Sequence, residues 1–258
     1  MKFATFNANS IRARLPQITD WLETNRPDIL CIQETKVQDR DFPREPLESK
    51  GYHVIFRGQK SYNGVAILSR AALEDVRRDL YEGGDAEARF VSARVGSLHV
   101  VNVYVPQGFA VESEKFQFKL GWLEDLFHYL RHRHRPAEPL LVAGDFNVAV
   151  EDRDVYDPES LRGGVCFHPD EQARLKEILA WGLEDVFRRD HKEGGHYTFW
   201  DYRVPHALKR KMGWRIDYIL ASKPVSGAFR NSWVDLEARA AARPSDHTFL
   251  VAEFDASW

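Results

Sequence analysis

The chain has 258 residues, of which 43% are hydrophobic and 29% charged, and carries a net charge of −3. That length can bury a large core as one domain of α/β or sandwich type, with the composition of an ordinary soluble globular enzyme. No apolar run approaches the roughly 18 residues of a membrane helix, the small negative charge argues against coating nucleic acid by bulk charge, and two cysteines argue against a disulfide framework and for a reducing cytoplasm.

The N-terminus moves straight into a strand pattern at 3–7, with no signal-peptide character. Leu15, Ile18, Trp21 and Leu22 then keep helical spacing, with Pro16 tolerable in the first turn. Strands are expected at 29–34, 52–56 and 65–69, and the runs 90–95 and 98–105 flank Gly96-Ser97 as a hairpin. The longest helix is expected over 113–135, with Phe116, Leu120, Leu123, Phe127 and Leu130 as its core-facing stripe. Its basic end, Arg131-His132-Arg133-His134-Arg135, serves either the helix dipole or DNA. A strand at 140–146 follows, then a helix from Pro169 to Trp181 stopped by Gly182, and strands at 216–221 and 248–254. Many strands with few, widely spaced helices predict two packed sheets with helices outside.

Reactive residues collect at strand ends, where loops are free and the sheet is rigid. Asn7 closes the first strand and Glu34 the second; Tyr104 ends the hairpin. Gly144-Asp145-Phe146-Asn147 closes the strand after it, Asp217 lies in Trp214-Arg215-Ile216-Asp217-Tyr218, and Ser245-Asp246-His247 precedes the last strand. Each has a plain alternative as a turn or solvated strand-end residue; their coincidence favours metal-assisted phosphodiester hydrolysis. A hard cation such as Mg²⁺, with Mn²⁺ as a possible substitute, takes oxygen ligands and keeps several waters. The group around it comprises Asn7, Glu34, Asp145, Asn147, Asp246 and His247, with Glu34 the first-choice ligand. Asp145 suits the base and Asn147 the amide that orients water. His247, held by Asp217, and Tyr104 suit hydrogen-bond donation to the phosphate. The stretch 203–215, with Lys209-Arg210-Lys211 near Trp214, leans towards nucleic-acid contact.

At these residues the chain resembles the exonuclease III family of abasic-site endonucleases, within the endonuclease/exonuclease/phosphatase superfamily. The matching stretches include Gln33-Glu34-Thr35-Lys36, Asn102-Val103-Tyr104, Gly144-Asp145-Phe146-Asn147, Phe199-Trp200, Trp214-Arg215-Ile216-Asp217-Tyr218 and Ser245-Asp246-His247. The resemblance implies a four-layer α/β/β/α sandwich with two mixed β-sheets face to face. It implies action on double-stranded DNA with abasic sites or blocked 3′ ends: cleavage 5′ to an abasic site, 3′-phosphatase action and 3′-to-5′ exonuclease action; with no extended apolar seam in the sequence, a monomer is expected. It carries the metal glutamate onto Glu34, the water-activating aspartate onto Asp145, the orienting asparagine onto Asn147, and the phosphate donors onto His247–Asp217 and Tyr104. Phe199, Trp200, Trp214, Ile216, Lys36 and Arg215 fall on the DNA side and the abasic pocket; from the residues alone, Phe199 and Trp214 read as core rather than pocket. One departure is Ser10, where the family usually has glycine, so the first loop is expected to differ in shape. Two other readings stay open: a phosphoesterase with a non-DNA substrate, and a catalytically weak nucleic-acid-binding regulator.

Overall fold

The computed structural model describes residues 1–81, 84, 87–256 and 258. Its strands are β1 (Lys2–Asn7), β2 (Ile29–Gln33), β3 (His53–Arg57), β4 (Val65–Ser69), β5 (Glu74–Arg77), β6 (Phe90–Val95), β7 (Leu98–Tyr104), β8 (Leu140–Asp145), β9 (Leu183–Asp185), β10 (Asp217–Ser222), β11 (Phe229–Val234) and β12 (Leu250–Phe254). Its helices are α1 (Ile11–Asn25), α2 (Arg44–Glu48), α3 (Glu114–Arg133), α4 (Pro158–Leu161), α5 (Pro169–Ala180), α6 (Phe187–Asp190), α7 (Lys223–Ser226) and α8 (Leu236–Ala240). The strands form two six-stranded mixed sheets, ordered β11-β12-β1-β2-β4-β3 and β5-β6-β7-β8-β10-β9. Each sheet is built around a parallel pair joined by a helix, β1-α1-β2 and β7-α3-β8, with antiparallel strands on both sides. The α/β sandwich expected from the sequence is therefore present.

Alternation along the strands sets the layers. Phe3, Ile29, Cys31, Val100, Leu141, Ala143, Ile219 and Ala221 face inwards and fill the space between the sheets. Ala4, Phe6, Leu30 and Ile32 face outwards under Ile11, Ile18, Trp21 and Leu22 of α1. Leu140, Val142, Val101 and Val103 lie under α3 and α5 on the other side.

The same period places polar residues higher on the inner faces. Two residues beyond Phe3, Cys31 and Val100 stand Thr5, Gln33 and Asn102, all buried. Gln33 Nε2 donates to Thr5 Oγ1 at 2.9 Å and to Asn102 Oδ1 at 2.7 Å, and Asn102 Nδ2 donates to the carbonyls of Ile32 and Ala66 in the opposite sheet. Two residues further stand Asn7, Tyr104 and Asp145, at the rim. The apolar core thus passes through a neutral amide layer into a charged one.

Three strands are additional to those expected: β5, β9 and β11. The stripe of α3 is also rotated from its expected phase. Phe116, Lys119, Trp122, Leu123, Leu126 and Leu130 are buried, whereas Leu120 and Phe127 are only half-buried. Lys119 belongs to the buried face because it pairs with Glu171 of α5 and donates to the carbonyls of Asn147 (2.6 Å) and Gln107 (3.2 Å).

Candidate active site

Both sheets contribute to one cleft rim. Asn7 and Glu34 arrive from β1 and the turn after β2, and His247 from the turn before β12. Tyr104, Asp145 and Asp217 arrive from β7, β8 and β10. Gly144 permits β8 to reach this position. Its φ is +139°, and a Cβ there would lie 2.0 Å from the Val103 carbonyl oxygen of β7. Around the rim, Asn9 (φ 43°), Ser10 (97°), Glu34 (50°), Lys36 (52°) and Asn147 (51°) all hold left-handed backbone. Such strain in non-glycine residues gathers where a site over-determines its geometry. Ser10 adopts the glycine-like conformation itself, and its N–H donates to the Glu34 carbonyl at 2.8 Å.

Glu34, Asp145 and His247 bring one ligand atom each within 4.8 Å of one another. Asn7 Nδ2 spans the two carboxylates, 2.8 Å from Glu34 Oε1 and 2.8 Å from Asp145 Oδ2. Lys36 Nζ lies 2.7 Å from Glu34 Oε2 and also donates to Asn9 Oδ1. Burial would raise the Glu34 pKa, but Lys36 and the Asn7 hydrogen bond outweigh it and hold the carboxyl below its ordinary value. Asp145 is 1% exposed. Burial pushes its pKa up, and the nearby Asp217 and Glu34 anions add to this against the pull of His247. A carboxylate so raised takes a proton readily.

His247 Nδ1 lies 2.8 Å from Asp217 Oδ2, and Nε2 lies 3.7 Å from Asp145 Oδ2. Burial alone would lower its pKa, yet Asp217 and then Asp145 raise it, so the ring is an imidazolium at neutral pH. Ser245 Oγ fixes the turn by donating to the Asn7 carbonyl at 2.8 Å and accepting from the His247 N–H at 3.2 Å. The Tyr104 hydroxyl bonds Glu34. Burial and that anion hold its pKa well above normal, so it stays a neutral donor. The Arg89 guanidinium lies 4.8 Å over its ring.

Several expected residues take other positions. Asn7 faces the carboxylates with its amide nitrogen and acts as a donor between them rather than as an oxygen ligand. His247 is within ligand reach of Glu34 and Asp145, and its Nδ1 is engaged by Asp217 at 2.8 Å. Asp246 stands outside the triad of carboxylates and imidazole, accepting from Asn9 Nδ2 at 2.9 Å. Asn147 donates from Nδ2 to the Val105 carbonyl at 3.0 Å and from its backbone N–H to Asp145 Oδ1 at 2.9 Å. Arg215 is 1% exposed and binds Asp154 and Asp185 at 2.7 Å each, so it cannot reach a DNA phosphate. Trp200 is buried too, packed with Tyr197 and Ala207 as the anchor of the exposed basic loop. Phe199 and Trp214 are half-buried over buried Ile216, and the Phe199 ring lies 4.9 Å from that of His247. Sequence reasoning placed Ser245 only within the Ser245-Asp246-His247 motif, without a role of its own, and passed over Arg89 and Lys119; all three support the site through partners distant in the chain.

Two sheets meeting at an acidic, histidine-bearing rim define a metal-dependent phosphoesterase fold. A model of the Endonuclease/Exonuclease/phosphatase family matches residues 4–247, and the chain belongs to that family. It is 36% identical over 267 residues to exodeoxyribonuclease III of Haemophilus influenzae, covering 98% of this chain and 100% of that protein. Among solved structures it resembles an AP endonuclease from Archaeoglobus fulgidus (TM-score 0.97, 47% identity, 99% of this chain and 100% of that one). It also resembles the 3′ phosphatase NExo from Neisseria, solved with a product DNA hairpin (TM-score 0.95, 41% identity, 99% and 100%). The family is metal-dependent, and the Glu34–Asp145 carboxylate edge is a hard-oxygen donor set that suits a divalent ion.

Proposed function

We propose that the chain is a DNA repair hydrolase that cuts the backbone 5′ to an abasic site and trims 3′ ends, removing 3′-phosphates and, on duplex DNA, terminal nucleotides. The observation that carries this reading is the Asp217–His247–Asp145 chain beside Glu34: an imidazolium donor and a proton acceptor within 3.7 Å of each other.

A divalent ion, Mg²⁺ or in its place Mn²⁺, would be held at the Glu34–Asp145 edge and would supply Lewis-acid polarisation of the phosphate. Glu34 holds it. Asp145 takes the proton of the attacking water, which the Asn147 segment positions. The water oxygen bonds phosphorus, the P–O3′ bond breaks, and the leaving O3′ takes a proton from solvent to end as a hydroxyl. His247 Nε2–H and the Tyr104 hydroxyl donate to the phosphate oxygens as charge builds there. Asp217 keeps His247 in the right orientation and charge state. Phe199 and Trp214, above Ile216, border an apolar pocket that a baseless sugar enters without the unstacking a normal nucleotide requires. Lys36 and the exposed Lys209-Arg210-Lys211 face the backbone charge. Among the described residues no helix is long and apolar enough to cross a membrane. Two buried, unpaired cysteines fit a reducing cytoplasm.

Three labelled duplexes test the reading: one with a central abasic-site analogue, one with a recessed 3′-phosphate and one with a recessed 3′-hydroxyl. Metal-dependent incision at the abasic site, abolished by EDTA and by Asp145→Ala without loss of DNA binding, is expected. Folded protein that cleaves none of the three with Mg²⁺ or Mn²⁺ would point instead to a non-DNA phosphoesterase or a binding protein.

A further inference from the structure

A second group of metal-type side chains lies at the opposite end of the same strands. His99 is the second residue of β7, and His134 and Glu138 lie in the connection from α3 to β8; one donor atom from each lies within 4.8 Å of the others. His134 is 6% exposed, yet neither ring nitrogen has a hydrogen-bond partner. Buried polar atoms are ordinarily satisfied, so two open nitrogens on one ring call for an occupant. The His134 and His99 ring centroids are 5.0 Å apart, beside a cavity of about 140 Å³.

The backbone around this group is fixed. The His99 N–H donates to the Pro139 carbonyl at 2.9 Å, and the His134 N–H closes α3 on Leu130 at 3.0 Å. Ser222 Oγ donates to the Glu138 carbonyl at 2.7 Å and accepts from the Leu140 N–H at 3.0 Å. Arg77 and Arg133 also line the cavity and oppose a cation, whereas Asp75 and Glu138 favour one.

We propose that His99, His134 and Glu138 bind a divalent transition-metal ion that prefers nitrogen donors, Zn²⁺ above all, at a site separate from the catalytic one. Two imidazoles and a carboxylate with a water in the fourth place form a recognised zinc set, and magnesium disfavours imidazole. Tetrahedral zinc holds such donors at about 2.0–2.1 Å from the ion, hence about 3.4 Å from one another. The half-buried His99 and Glu138 close that gap by side-chain rotation. Five residue steps along β7 separate His99 from Tyr104, about 17 Å. The ion therefore clamps the base of the β7–β8 pair and takes no part in phosphate chemistry.

The test uses full-length protein stripped with chelator and titrated with Zn²⁺ by calorimetry, with bound metal counted after dialysis. Wild type and Glu34→Gln are expected to take up one equivalent of Zn²⁺ that His99→Gln and His134→Gln lose or bind at least tenfold more weakly. Zn²⁺ should raise the thermal midpoint of Glu34→Gln but not of the double variant Glu34→Gln/His99→Gln, and the Mg²⁺-dependent turnover of His99→Gln alone stays within twofold of wild type. If His134→Gln fails to fold, the half-exposed His99→Gln decides alone. Zinc stoichiometry and affinity within tenfold of wild type in the His99 variant would overturn the proposal.

Discussion

Asp217 stands directly opposite Asp145 in the antiparallel β8–β10 ladder, and His247 enters from the other sheet to sit between them. Two like charges facing across a ladder repel; the imidazolium supplies the compensating positive charge. Its protonation and that of Asp145 are thus set by one arrangement.

The working form has Asp145 ionised and His247 protonated. Asp145 has a raised pKa, so turnover rises with pH through a value above the ordinary carboxylate range. His247 is raised as well, so turnover falls only at a pH above the ordinary histidine value. Asp217→Asn removes the larger of the two anions acting on His247. We expect the basic limb of the pH profile to move to lower pH and the rate at neutral pH to fall by roughly 10²-fold or more. An unmoved basic limb in the Asn variant would reduce Asp217 to a packing residue.

Trp214→Ala should weaken abasic-site cleavage more than 3′-phosphate removal, because only the former fills the pocket bordered by Phe199 and Trp214. Parallel rate measurements on the two duplexes check this. Equal losses would place the indole in the core alone.

Arg215→Gln leaves Asp185 without its cation and Asp154 with Arg188 only. Removing one partner of a buried ion pair costs about 3–5 kcal/mol. The expected outcome is a large fall in the thermal midpoint with KM for DNA unchanged in the protein that remains folded. A weakened KM at unchanged stability would instead return this arginine to the DNA surface.

Ser10 holds φ 97° and ψ 103° with no side-chain capping bond to α1. Backbone in such a region costs about 1–3 kcal/mol, part of which glycine returns through its own freedom in the unfolded chain. Ser10→Gly should therefore stabilise by about 1 kcal/mol, roughly 2–4 °C in midpoint for a chain of this size, without altering turnover. Thermal melts of the two proteins measure it.

The central strands were legible because their apolar runs are long and buried on both faces. The edges were not. β5 is Glu74–Arg77, with three charged residues in four. β9 has only three residues, Leu183–Asp185, and β11 carries Arg230 and Asn231 at a register shift. Local pattern cannot mark a strand whose pairing comes entirely from its neighbour. In α3 the core stripe was misphased because a buried lysine looks like a surface residue until its partner Glu171, on a distant helix, is placed. The acidic rim residues were readable as strand-end motifs. That Asn7 presents its nitrogen, that Arg215 turns inwards and that Trp200 anchors a loop all depend on partners far away in the chain.

His247 lies just before β12, and β12 is no edge strand: it fills the place between β11 and β1. The first strand and the Glu34 turn stand more than 200 residues ahead of the imidazole and the strand that seats it. Cutting the chain before residue 245 therefore removes the phosphate donor and opens an interior place in one sheet at a single stroke, so chemistry and fold are lost together.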